Sequence, residues 1–242
     1  RPVGVLRQWA STLGPDAGSG LFRHTKHVYT DTASYFIGIA VEAARRVTDL
    51  PEVTDAPTRT SDSWDDRQFI EHDFVNVLKS GREMYGETFD ATLTYSFNFS
   101  TPNLRSQDTT HLVVSVMGRT LGAGVSSSFS ISAGGGFNTS LSVPGVCSNY
   151  LCSYGTNVTT TYAFNASGPN VPIVLTFNKY DPATSLGYLN YLELNCRRDL
   201  KMSGDQMLFR DLRSVGPGAI TEFTMDQMSS SVRVWDITDP TD

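Results

Sequence analysis

The chain of 242 residues contains no run of eighteen apolar residues, so no segment is long enough to cross a bilayer as a helix. No secretory signal pattern opens it. Charge is sparse: 18% of residues are charged, and 19 Lys+Arg stand against 25 Asp+Glu, a net −6. A general nucleic-acid binder shows a basic patch or stripe, and this balance argues against one. Phosphate-cradle patterns of the GxGxxG or GKS/T kind are missing, and no GxSxG surrounds any serine. Histidine and cysteine are scarce, 4 and 3, so each can be weighed singly. What is abundant is Thr, Ser, Asn, Gly, Tyr and Phe, a composition of strands and turns rather than helices. With 39% hydrophobic residues the chain is not disordered, and its length suits one large β domain or two small ones.

Period-two alternation dominates. In DATLTYSFNFS, Leu93, Tyr95, Phe97 and Phe99 fall on one face and Thr92, Thr94, Ser96 and Asn98 on the other. The same pattern puts Leu112, Val114 and Val116 together, then Phe129 with Ile131, and Phe137 with Leu141 and Val143. Further on it groups Val158, Tyr162 and Phe164, and then Ile173, Leu175 and Phe177. The stretch YLNYLELNCRRDL reads as a long central strand. Tyr188, Leu192, Leu194 and Cys196 lie on one side, Leu189 and Tyr191 on the other, and Arg197-Arg198 emerges at a hydrated rim. QMLFR, AITEFTM and VRVWDI complete the series. Gly, Pro, Asn and Asp turns between about a dozen such strands predict a mainly β, antiparallel sandwich or jelly roll.

One segment breaks the pattern. In SDSWDDRQFIEHDFVNVLKSG, Ser61 or Ser63 can cap a helix and Asp65 and Asp66 suit its first turn. Ile70, Phe74, Val77 and Leu78 keep a helical stripe and Gly81 suits the exit, so a short helix is predicted over 64–80. Residues 44–63, rich in proline and polar residues, read as a long exposed loop. The expected organisation is an N-terminal part, 1–89, with strands, loop and helix, and a sandwich over 90–242, the two forming one continuous domain if the sheets join. Both termini, Arg1 and Asp242, read as cuts, so a piece of a longer protein is expected.

The chemistry-bearing residues carry modest signals. Cys147 and Cys152, in CSNYLC, have a spacing that closes a small loop disulfide in an extracytoplasmic setting, or sit in a turn as reduced thiols. Cys196 shares a strand face with leucines and reads as a buried, inert thiol. His24 and His27, three apart on a strand, point to opposite faces, so no metal site is expected. His72 suits a solvated helix face, and His111 opens a strand without an evident partner. Gly134-Gly135-Gly136 reads as a hairpin turn. Glycoside hydrolysis needs paired inward-facing acids on strands; Glu193 and Glu222 are candidates, and strand-edge solvation accounts for each more simply. Four Asn-x-Ser/Thr matches begin at Asn98, Asn138, Asn157 and Asn165, a pattern that arises easily in such a composition. Trp9, Trp64 and Trp235 offer a sugar-stacking platform if they are exposed, and core if they are not. No catalytic constellation and no cofactor site is expected.

Four stretches carry a family resemblance: GLFRHTKHVYTDTASYFIG (20–38), FVNVLKSGREMYGETFD (74–90), YLNYLELNCRRDLKMSGDQMLFRD (188–211) and SVRVWDITDP (231–240). Together they resemble the region that precedes the catalytic domain in PorU-like proteins, gingipain-related cysteine peptidases that act as the sortase of type IX secretion. The resemblance is thin between residues 100 and 180. It implies an extracytoplasmic place at the bacterial outer membrane or cell surface. It also implies relatives that remove a C-terminal sorting domain from cargo and attach the cargo to anionic lipopolysaccharide. The catalytic His and Cys would then lie beyond Asp242, and no family catalytic residue falls on this stretch. The implied partners are the chain's own catalytic domain and type IX secretion components or lipopolysaccharide. Arg45, Arg46 and Arg59 on the long loop are candidates to restrain an arginine-reading peptidase. A carbohydrate- or lipopolysaccharide-binding sandwich is the alternative, motivated by the aromatic content.

Overall fold

The structure, a computed structural model, describes residues 4–9, 11–15, 18–26, 32–37, 49, 51–79 and 83–237; before residue 49 only the side chains of 18–23 are described. Its strands are β1 (Gly4–Trp9), β2 (Ser11–Pro15), β3 (Phe22–Lys26), β4 (Thr32–Ile37), β5 (Arg59–Ser61), β6 (Ser63–Glu71), β7 (Thr88–Phe89), β8 (Thr94–Ser100), β9 (Thr110–Arg119), β10 (Ser126–Ala133), β11 (Phe137–Pro144), β12 (Thr156–Phe164), β13 (Asn170–Asn178), β14 (Leu186–Asp199) and β15 (Thr221–Phe223). Two antiparallel sheets face each other. One has the order β11-β10-β13-β8; the other runs β12-β9-β14-β6, with β7 also paired to β14. The remaining ribbons are β1-β4, β2-β3 and the parallel pair β15-β5. The chain is a mainly β, antiparallel sandwich, and no α-helix occurs among the described residues.

The core is the set of apolar faces that alternation puts together. Phe99, Phe129, Ile131, Ile173, Leu175 and Phe177 from the four-stranded sheet meet Leu112, Val114, Val116, Leu189, Leu192 and Leu194 from the five-stranded one. Each such side chain contributes roughly 1.5–3 kcal/mol of transfer free energy on burial. Phe89 of the short β7 sits at the centre, edge-on to Phe129 at 5.1 Å and to Tyr95 at 4.9 Å. The two sheets differ in their outward faces. Ser128, Ser130 and Ser132 of β10, Ser140 and Ser142 of β11, Thr94, Ser96 and Asn98 of β8 and Thr176 and Asn178 of β13 point away from the core. Not one residue of these four strands is charged.

Several expectations change. No helix forms over the described residues 64–79 of the expected 64–80 helix: Ser63–Glu71 is β6, paired over nine residues with β14 from Asp199↔Ser63 to Tyr191↔Glu71. A lone amphipathic helix would have gained one stripe of contacts, whereas the strand gains a ladder and presents two carboxylates to two arginines; tertiary context overrides local propensity. Phe74 and Leu78 of the supposed stripe are exposed, in a return that bonds Val75 to Tyr85. Of the first 89 residues, β6 and β7 therefore join the same sheet as β14.

The second change concerns β14. Its pairing with β9 shifts register between Leu189 and Tyr191, a bulge at Asn190. The extra residue flips the parity. Leu189 joins Leu192 and Leu194 in the core, while Tyr188 packs with Tyr85 and Met117 in a separate cluster. Among the strands expected near the C-terminus, only Thr221–Phe223 forms; 206–210 and 232–237 belong to no described sheet. The expected loop over 44–63 is exposed and irregular at 51–58 but ends in β5 and the buried Ser61 and Ser63.

Close approach of the sheets depends on a glycine pair. Gly118 of β9 is opposite Gly187 of β14. A Cβ on Gly118 would lie 2.7 Å from Val143 Cγ1, and one on Gly187 would lie 2.9 Å from Phe129 Cζ and 3.0 Å from Phe177. Gly187→Ala is expected to cost about 1–3 kcal/mol through overpacking. Gly136→Ala, in an open turn with nothing within 4 Å of the added carbon, is the control and should stay within about 0.5 kcal/mol of the parent. Urea unfolding of both variants checks this, and equal stabilities would contradict the packing account.

Candidate functional site

Consecutive strand residues point to opposite faces, so Arg197 and Arg198 at the end of β14 cannot share a partner. Both are buried, and this corrects the expectation of a hydrated rim. Arg197 turns to the outer face. Its Nη1 donates to Asp65 Oδ1 at 2.7 Å and to Asp211 Oδ1 at 2.9 Å, and its Nη2 donates to Ser63 Oγ at 2.9 Å. Arg198 turns inward at the sheet end. It donates to Asp66 Oδ2 at 2.8 Å and to the Pro102 carbonyl at 2.7 Å, and stacks 4.9 Å from the Trp64 ring centre. The Asp65-Asp66 pair expected in a helical first turn thus neutralises the two arginines from the neighbouring strand.

The clasp gathers three other segments. Asp211 is fully buried; it also accepts from Ser61 Oγ at 2.7 Å and caps the 3₁₀ turn Leu212–Ser214 through Arg213 N–H. Leu212 N–H donates to Asp65 Oδ2 at 2.8 Å. Arg105 bridges Asp199 at 2.6 Å and Asp62 at 2.7 Å. Burial alone would raise the Asp211 pKa, but the bonds from Arg197, Ser61 and Arg213 N–H outweigh it and hold the carboxyl below its ordinary value.

Beside the clasp, the outer face of the five-stranded sheet is polar yet covered. Glu193, 1% exposed, accepts from Arg67 Nη2 at 2.6 Å, so it is not a solvated edge acid; Glu222, in β15, is exposed. Asn195 receives the Phe22 N–H at 2.9 Å, Arg23 donates to Thr161 Oγ1 at 3.1 Å, and Arg210 stacks 4.8 Å over Phe22. These contacts lay β3 across β14.

The other candidate residues scatter. Cys147 and Cys152 are disulfide-linked with Cα atoms 5.9 Å apart, in a loop between β11 and β12 that leaves Tyr150 and Leu151 exposed. Arg45, Arg46 and His27 lie outside the described residues, as do the side chains of Trp9 and His24. Arg59, in β5, is exposed and its Nη1 donates to the Arg213 carbonyl. Trp64 is buried and Trp235 is 64% exposed. His72 is exposed, outside any helix, with Nδ1 2.9 Å from Glu87 Oε1; His111 is half-buried and held below the ordinary histidine pKa by burial and by Arg23. Cys196 is buried with no disulfide partner, its pKa pushed up to about 12 by burial and then by Asp66. Among the described residues no three His, Cys, Asp or Glu side chains are arranged to hold a metal ion. The arrangement neutralises charge and fixes segments, and among the described residues it places no activated nucleophile beside a base. Pattern reading missed the clasp; its signal was a doubled acid in SWDDRQ matching a doubled base in NCRRDL.

No family model matches the chain, and no curated protein matches it. Among solved structures it matches dimeric latent PorU from Porphyromonas gingivalis with a TM-score of 0.72 at 21% identity, over 94% of this chain. The match spans 22% of the PorU chain, about a fifth of its length. An exo-beta-1,3-galactanase from Phanerochaete chrysosporium matches 55% of this chain and 26% of that one at a TM-score of 0.26 and 11% identity, too low to carry an argument. The chain has a PorU-like fold.

Arg197→Leu should destabilise the fold by about 3–5 kcal/mol in urea, because Asp211 is left buried without its cation. Asp211 contributes stability that is complete above its unfolded pKa, near 3.9, and is lost as pH falls through the lower folded value. The stability gap between the parent and Asp211→Asn should therefore be widest at neutral pH and close in acid; a gap independent of pH would contradict the clasp. Ellman's reagent should find no reactive thiol in the folded protein and one, Cys196, in guanidinium.

Proposed function

We propose that this chain is the non-catalytic region preceding the catalytic domain of a bacterial gingipain-like cysteine endopeptidase, the sortase of type IX secretion. In this reading the sandwich assists the folding, docking or restraint of the peptidase at the outer membrane or cell surface. The carrying observation is the fold match, which takes up nearly all of this chain and only 22% of the PorU chain. The description of that protein as latent supports restraint as one role. The linked Cys147 and Cys152 support an oxidising, extracytoplasmic setting. No helix among the described residues is long and apolar enough to cross a membrane. Arg45, Arg46 and Arg59, flanking the exposed stretch 51–58, are the side chains we assign to restraint. Type IX secretion components or lipopolysaccharide would be the further partners.

The test uses the longer polypeptide and its separated catalytic part. This chain alone should hydrolyse no peptide. Added in trans, it should bind the catalytic part and slow cleavage of arginyl substrates, and the triple change of Arg45, Arg46 and Arg59 to Ala should relieve the slowing. Hydrolysis by this chain alone, or the absence of binding and of any rate change, would remove the proposal.

A further inference from the structure

The strand-like sequence VRVWDI belongs to no sheet among the described residues. The chain leaves the sandwich at Asp226, whose N–H and carbonyl are bonded to Leu200 and Met202, turns at Ser229–Val232, and runs on to Ile237. Residues 232–237 are rich in the β-branched and aromatic types that favour pleated surfaces. In an extended strand, Val232 and Val234 would share one face and Arg233, Trp235 and Ile237 the other. Apolar residues on both faces match a strand covered on both sides, yet Val234 is 62%, Trp235 64% and Ile237 55% exposed. Isolated exposed hydrophobics are ordinary, but Val234, Trp235 and Ile237 together in one short stretch outside the described strands are not. The same C-terminal portion carries a second unfinished element. The β15–β5 ribbon has two strands and three residue pairs, with Phe223 exposed, and two-stranded sheets are marginal by themselves.

We propose that residues 232–237 are a strand in waiting, which adds by backbone hydrogen bonds to an open sheet edge of the domain that follows in the longer polypeptide. The inference rests on the reading that this sandwich is one part of such a chain, as its match to 22% of the PorU chain supports. A covalent neighbour is chosen over a free partner because tethering holds its edge at high effective concentration, so a six-residue strand can pair where an untethered one would not. Recognition is of the kind in which the main-chain ladder supplies affinity and alternate side chains supply register. Trp235 and Ile237 would fill one face of the composite sheet, and Val232 and Val234 the other. The sandwich and its neighbour would then be joined by a shared sheet and not by a loose linker.

Amide hydrogen exchange over 232–237 tests this, in the longer polypeptide and in the 242-residue chain. Exchange in the longer polypeptide should be slower by about 100-fold or more. Single proline changes at Arg233, Val234, Trp235 and Asp236 then discriminate pairing from mere coverage. A single-edge ladder uses alternate amides, so proline should abolish protection of the remaining amides at one parity and spare it at the other. Equal exchange rates in the two chains, or the same response at both parities, would overturn the proposal. The variants lie outside the sandwich, so its urea midpoint in the 242-residue chain serves as the folding control. The readout is independent of catalysis: a longer chain without peptidase activity would remove the functional reading and leave the exchange comparison intact.

Discussion

The geometry of a strand forces neighbouring side chains apart, and here the neighbours are two arginines that the fold buries. Desolvating a guanidinium costs several kcal/mol unless a carboxylate and hydrogen-bond acceptors replace its water. β6 meets that requirement on both faces at once, Asp65 outward and Asp66 inward. Asp211, Ser63 and the Pro102 carbonyl complete the shells. One end of the sandwich is therefore closed by ions where the middle is closed by hydrocarbon. β6 beside β14 and the 3₁₀ turn at Leu212–Ser214 keep those charges company, and Arg105 adds a separate bridge between Asp199 and Asp62 at the same end.

Much of the core was legible from alternation alone. Tyr95, Phe97, Phe99, Phe129, Ile131, Ile173, Leu175 and Phe177 face where the period of two puts them, because one buried face per strand leaves a strong imprint. Parity failed at β14, where the bulge at Asn190 inserts a residue no composition signals. The helix expectation at 64–80 failed for another reason. Serine, aspartate and spaced hydrophobics satisfy a helix start and a strand with a charged face equally well, and only the partner strand decides. Glu193 and Arg197 looked solvated because charge usually is; their covering comes from β3 and the 209–214 segment, distant in sequence. The clasp itself was half visible, as complementary doubled charges without the register that joins them.

The disulfide loop illustrates how local and global stabilisation part. Its linked cysteines enclose a few residues only, and closing so short a loop removes little entropy from the unfolded chain. The link instead orders a turn at the crossover from β11 to β12, where the chain passes from one sheet to the other. Global stability rests with the aromatic centre around Phe89 and with the close approach allowed at Gly118 and Gly187.

The uncharged character of β8, β10, β11 and β13 makes the molecule electrically lopsided. No ionic group stands on that whole sheet, whereas β6, β9 and β14 all carry charged residues. Most of those ions cancel within their own buried pairs, so their field fades a short way from the surface. The serine- and threonine-covered sheet is nearly indifferent to ionic strength, and salt acts on the exposed ends of the pairs on the other side. Which sheet carries the ions thus decides which face of the sandwich answers to salt.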